Sequence, residues 1–60
     1  MTFQKRLKKQ MRKREMRVAD LARWFKVPYT TMREWVLHGR LPVDNRGRIE
    51  TRLNVLEHMS

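Results

Sequence analysis

Cysteine is absent from this sequence, which excludes disulfide staples, thiolate chemistry and cysteine-based zinc sites. Glycine and proline occur only twice each, too sparsely for a glycine-rich phosphate loop or a low-complexity linker. Acids are also few: six Asp and Glu stand against fifteen Lys and Arg, a formal charge of +9. No apolar run reaches the roughly 20 residues a membrane span needs, and no apolar signal core follows the basic start. A membrane partner is therefore not expected, and an intracellular location is. Sixty residues allow one domain, read here as 1–60. A chain of that size buries only about 60% of its unfolded surface, so its core must be small. Packed helices, or a partner chain, must supply the support that disulfides and metals do not.

The basic residues are unevenly spread. Residues 1–17 hold eight of them (Lys5, Arg6, Lys8, Lys9, Arg12, Lys13, Arg14, Arg17) against the single acid Glu15. Such a surplus raises the local concentration of polyanions and speeds encounter with them, without setting the fold. Within this segment Phe3, Leu7 and Met11 recur four apart, a narrow apolar stripe on a helix that Thr2 can cap. The Lys/Arg run of 5–14 reads first as a solvated face, and as functional only if that face points at a duplex.

Val18, Leu21, Ala22 and Phe25 follow with the spacing of a buried helical face, and Asp20 sits where the exposed amides favour an acid. Trp24 lies beside that face as a half-buried lid. Pro28 biases Val27 away from helical geometry, so the second helix should end at or before Lys26. The same proline suits the first turn of a third helix. There Met32, Trp35 and Val36 share one side, while Tyr29, Thr30, Arg33, Glu34 and Leu37 lie nearer the other. Gly39 can close that helix in the left-handed conformation, with His38 beside its carbonyl end. Pro42, Asp44, Asn45 and Gly47 make 41–48 a loop or turn. Ile49, Leu53, Leu56 and Met59 then predict a last helix over about 49–59, with Val55 off its stripe.

Catalysis is not expected. The acids are scattered among basic neighbours, the two histidines are twenty residues apart, and no nucleophile arrangement or substrate-sized cavity is indicated. No metal, cofactor or small-molecule ligand is expected either. Duplex DNA fits better. Two helices joined by a short turn can present the second to the major groove while the first braces it across the backbone. Leu21, Ala22, Phe25, Val27, Met32 and Trp35 supply the apolar inner face, Thr30 and Thr31 the slender front, and Arg17, Lys26, Arg33, Arg40, Arg46 and Arg48 the charge.

On those residues the chain resembles the phage Cro/repressor-type helix-turn-helix family, the small all-helical DNA-binding domains often called Xre-like. The likeness runs from Phe3 to Met59. It rests on Phe3 and Leu7, Met16, the pair Leu21-Ala22, the turn at Lys26-Val27, Met32 and Trp35, then Gly39 and Pro42. Mostly it is hydrophobic spacing, a signal of moderate specificity. The resemblance implies an all-α bundle of four or five helices of the lambda-repressor-like type, with the helix-turn-helix core over about 17–39. It implies a transcriptional regulator of phage or prophage origin in the bacterial cytoplasm, associated with the nucleoid.

It further implies base or groove contacts from Tyr29, Thr30, Thr31, Arg33 and Glu34, phosphate contacts from Arg17, Lys26, Arg40, Arg46 and Arg48, and a homodimer formed near Val55 and Met59. Each carries a plainer role beside it: Tyr29 as a lid on the core edge, Thr30 or Thr31 as a helix cap, Glu34 as the partner that orients an arginine. Two features depart from the pattern. Lys26 stands where the family has its turn glycine, and Arg17-Val18 replaces the Thr or Ser and the Gln that opens the second helix and clamps a phosphate. Residues 40–59 also resemble the wing and final helix of excisionase-like winged domains, with Val43 to Ile49 as a short hairpin. That reading implies an accessory protein of phage DNA transactions with weak sequence preference.

Overall fold

In the computed structural model, which describes residues 2–59, Thr2 opens the first helix: its Oγ1 accepts from the Lys5 amide at 3.2 Å. The chain forms an all-α bundle of four helices: α1 (Phe3–Arg14), α2 (Val18–Phe25), α3 (Tyr29–Leu37) and α4 (Arg46–His58). No strand occurs among the described residues, so the Val43–Ile49 hairpin is not formed. Nor is any helix long and apolar enough to cross a membrane.

Like-charged neighbours one turn apart destabilise an isolated helix by about 0.2–0.5 kcal/mol each, so α1 depends on docking. Leu7 is fully buried, and Phe3 meets Trp35 edge-on with ring centroids 5.8 Å apart. Gln4 Nε2 donates to the Val36 carbonyl at 2.8 Å, satisfying an end group of α3. Two arginines of the basic run turn inward. The Arg6 fork donates to Glu57 at 2.7 and 2.9 Å, to Glu50 at 3.0 Å and to Asn54 at 3.0 Å. Arg14 Nη2 donates to the carbonyls of Leu56 and Met59, both at 2.7 Å, and so caps α4 from outside. Arg6 and Arg14 are therefore not part of the solvated face that the sequence pattern assigns them to.

The Arg6 clasp makes stability depend on acid. Hydrogen bonding from Arg6 holds the Glu57 carboxyl below its ordinary value of 4.5, and raises the guanidinium out of any accessible titration range. A group whose folded pKa is depressed contributes stability above its unfolded pKa, and that contribution disappears as pH falls through the folded value. The melting temperature is accordingly expected to drop as pH is lowered through the carboxylate range. A Glu57→Gln chain, melted across the same series, should show a shallower acid limb.

The α2–α3 pair forms as its sequence predicts. Asp20 accepts from the Arg17 amide at 2.8 Å at the start of α2. Lys26 ends α2 in the left-handed region at φ 57°, so the backbone keeps the turn geometry without glycine. A side chain there costs on the order of 1 kcal/mol. Lys26→Gly is expected to recover up to about that much, read as a rise in denaturant midpoint. Pro28 stands at the N-cap of α3, one position ahead of the helix's first turn. Gly39 has φ +68°, a conformation that favours glycine, and a Cβ there would press on Gln4 Oε1 at 3.1 Å, so the Gln4 side chain would have to give way slightly.

The last helix corrects the predicted boundary. It begins at Arg46, not Ile49, so the loop ends at Asn45, which adopts φ 57°. Two arginines and a glycine in a first turn oppose the helix dipole and helix propensity, and the local pattern therefore reads as loop. Burial of Ile49, Leu53 and Leu56 extends the helix back through them. These three close the core with Leu7, Leu21, Ala22, Phe25, Met32, Trp35 and Val36. Trp24 is half-buried as expected, with the Arg52 guanidinium 5.9 Å above its ring and Arg52 Nη1 donating to its carbonyl at 3.3 Å.

Candidate nucleic-acid interface

Because Met32, Trp35 and Val36 bury one side of α3, the opposite side carries Thr30, Arg33 and Leu37 into solvent. These positions are three and four residues apart, so they form one ridge. Tyr29 stands at the ridge's leading end, 52% exposed, and does not cover the core edge. Arg33 has no ion-pair partner among the described residues, and its five donors stay available. Leu37, also 52% exposed, completes the ridge. Periodicity places Leu37 on this side, but its residue type carries no signal for DNA.

Neither threonine caps α3. Its N-cap is Pro28, which has no acceptor side chain, and no side-chain bond reaches the first-turn amides. The front of α3 therefore presents unsatisfied amides beside the Tyr29 and Thr30 side chains, an arrangement suited to an anion.

Thr31 and Glu34 are not on the crest of the ridge. Both line a groove of about 390 Å³ between α3 and residues 40–49, together with Arg40, Asn45 and Arg48. Glu34 Oε2 lies 3.4 Å from Arg40 Nε as an ion pair, with the Arg40 side chain mostly in solvent and that of Glu34 about half exposed. An exposed pair of that length contributes little to stability. It does set Arg40 beside α3. The five predicted groove residues thus divide into a crest (Tyr29, Thr30, Arg33) and a flank (Thr31, Glu34).

The charged residues assigned to phosphate are all exposed: Arg17, Lys26, Arg40, Arg46 and Arg48. Arg17 precedes α2 and Lys26 follows it, so both bracket the helix that braces α3. Arg46 and Arg48 belong to the first turn of α4, where no acid and no side-chain cap offsets the exposed amides. No family model, curated protein or solved structure matches this chain.

Two predicted seam residues keep their exposure as expected, Val55 at 50% and Met59 at 42%. Val43, at 91%, and Leu41, at 51%, are further exposed apolar side chains in the loop before α4. The loop reading of 41–48 gave no reason to single them out.

Proposed function

We propose that the chain is a non-catalytic, sequence-specific duplex-DNA-binding protein, a transcriptional regulator of the Cro/repressor helix-turn-helix kind. One observation carries the reading: an unpaired Arg33 on the exposed crest of a short helix that a three-residue turn, 26–28, sets against a second helix. Such a crest enters the major groove, and the arginine fork meets guanine's two acceptors. Tyr29 and Thr30 touch bases or flanking phosphates from the leading end, Thr31 and Glu34 border the groove, and Arg17, Lys26, Arg40, Arg46 and Arg48 bind the backbone. Regulation follows from occupying the site or recruiting other proteins to it, with no cofactor. The setting is the bacterial cytoplasm, at the nucleoid, and the origin phage or prophage.

A module this small reads few base pairs, so useful specificity calls for two copies on a two-fold site. Val55 and Met59 lie at the seam of that homodimer. It is weak in free solution and cooperative on DNA.

Selection from random duplexes, followed by titration across monovalent salt, tests the reading. An enriched two-fold site is expected, with log affinity falling linearly in log salt at a slope of about −3 to −5 per protomer. Sedimentation on that duplex should give two protomers per site. A pool that shows no enrichment after selection, or a slope near zero, defeats the proposal. Two-fold enrichment with strict one-to-one binding, unchanged by Val55→Asp, removes only the dimer.

A further inference from the structure

Five cations of α1 make no direct side-chain contact in the fold and take no part in the α3 interface, although Lys9 lies near Glu57 and Arg12 and Lys13 stand at the helix's carbonyl end. Lys5, Lys8, Lys9, Arg12 and Lys13 are all exposed and form no ion pair or side-chain hydrogen bond among the described residues. They share the side of α1 that faces away from Leu7, because Phe3, Gln4, Gln10 and Arg14 take the inward side. The Phe3 and Gln4 side of α1 packs directly on α3, at Trp35 and Val36. The outward sides of α1 and α3 therefore look in opposing directions.

Two magnitudes decide what this ridge does. From Lys5 to Lys13 it spans ~12 Å of helix, about one positive charge per 2.4 Å. A duplex carries one negative charge per roughly 1.7 Å of its axis, so the two densities are comparable. The bundle is 21 Å through its shortest dimension. Screening at physiological salt has a length of about 8 Å, so a duplex on the α3 crest is largely insensitive to the α1 ridge. The ridge is thus too remote to serve the first duplex and charged enough to hold another. A membrane surface fits less well: no large apolar side chain on α1 is exposed for insertion, and interfacial helices need one.

The geometry points to a second duplex-binding surface on α1, made by Lys5, Lys8, Lys9, Arg12 and Lys13, with which one protomer bridges two DNA segments. The α3 reading enters only in naming where the first segment sits. The ridge reads charge and not sequence, so the second segment can be any duplex.

A two-duplex capture assay tests it. Protein is bound to an immobilised duplex carrying a selected site, washed, and offered a fluorescent scrambled duplex near physiological salt. The wild-type chain should retain the second duplex. The variant Lys5→Gln, Lys8→Gln, Lys9→Gln, Arg12→Gln, Lys13→Gln should bind the immobilised site within about threefold of wild type and retain none of the second duplex. Far-UV circular dichroism verifies its helices, and a set with arginine at all five positions should restore capture. Undiminished capture by the glutamine variant overturns the proposal, because the bridge is then made by two copies through α3. Capture of anionic vesicles in preference to duplex overturns it as well. Failure of the α3 reading looks different: Arg33→Ala then leaves the immobilised-site signal unchanged while the glutamine set abolishes it.

Discussion

A Phe25→Ala chain is expected to be largely unfolded at physiological temperature and to lose the proposed DNA binding with its fold. Phe25 is completely buried and stands at the end of α2, where the turn into α3 begins. Truncating a buried phenylalanine costs about 3–5 kcal/mol, since transfer energy is lost and the cavity does not fully collapse. A core in a chain this short rarely provides more than about 3–5 kcal/mol of net stability. The two quantities are equal in size, so no margin remains. Far-UV circular dichroism against temperature checks this, with Val55→Asp as the control. That side chain is half exposed, and its replacement should shift stability by no more than about 0.5 kcal/mol. A Phe25→Ala chain that melts cooperatively near the wild-type midpoint would show that the core does not run through this residue.

Arg33→Ala carries the largest expected effect among folded variants. On a selected duplex it should lose about 1–3 kcal/mol, roughly 5- to 150-fold, and selection repeated with the variant should blur one position of the site. On a scrambled duplex the loss should be no more than that of one phosphate contact, a change of about one in the salt slope. Glu34 provides the contrast. It pairs with Arg40 on the flank of α3, so Glu34→Gln releases Arg40 and removes a repulsive charge. Equal losses for Arg33→Ala on both duplexes would leave an accessory, charge-driven binder as the better description.

Some of this was legible in the residues and some was not, for identifiable reasons. The limits of α2 and α3 follow from short-range chemistry: apolar positions three and four apart, a proline that stops one helix and precedes the next, and a glycine beyond. Those signals are contained in the segment they describe. The start of α4 is not, because Arg46-Gly47-Arg48 is a poor first turn by charge and propensity, and only the burial of Ile49 and Leu53 makes it helical. Arg6 and Arg14 were hidden in another way. By charge they match Lys5, Lys9 and Lys13; spacing sets Arg14 on the side of Leu7, seven residues away, but what gives both arginines their partners is where α4 places Glu50, Glu57 and its terminal carbonyls. Of the candidate site, the crest of α3 was readable from periodicity. The separation of Thr31 and Glu34 into a flanking groove depended on where residues 40–49 return.

The Arg6 clasp also orders events in time. Its bonds to Glu50 and Glu57 join residues 44 and 51 positions apart, whereas α2 and α3 meet across a turn of three residues. Closing a long loop costs more chain entropy than closing a short one, and the chain must lose that entropy before the clasp can form. During folding the α2–α3 pair can therefore assemble while the clasp is still open, and α4 docks last. Under native conditions the sequence reverses. The α1–α4 seam is expected to separate first, so that in native-state hydrogen exchange α4 amides should exchange sooner than those of Leu21 or Met32, and the half of the molecule that carries the α3 crest should be the last to open.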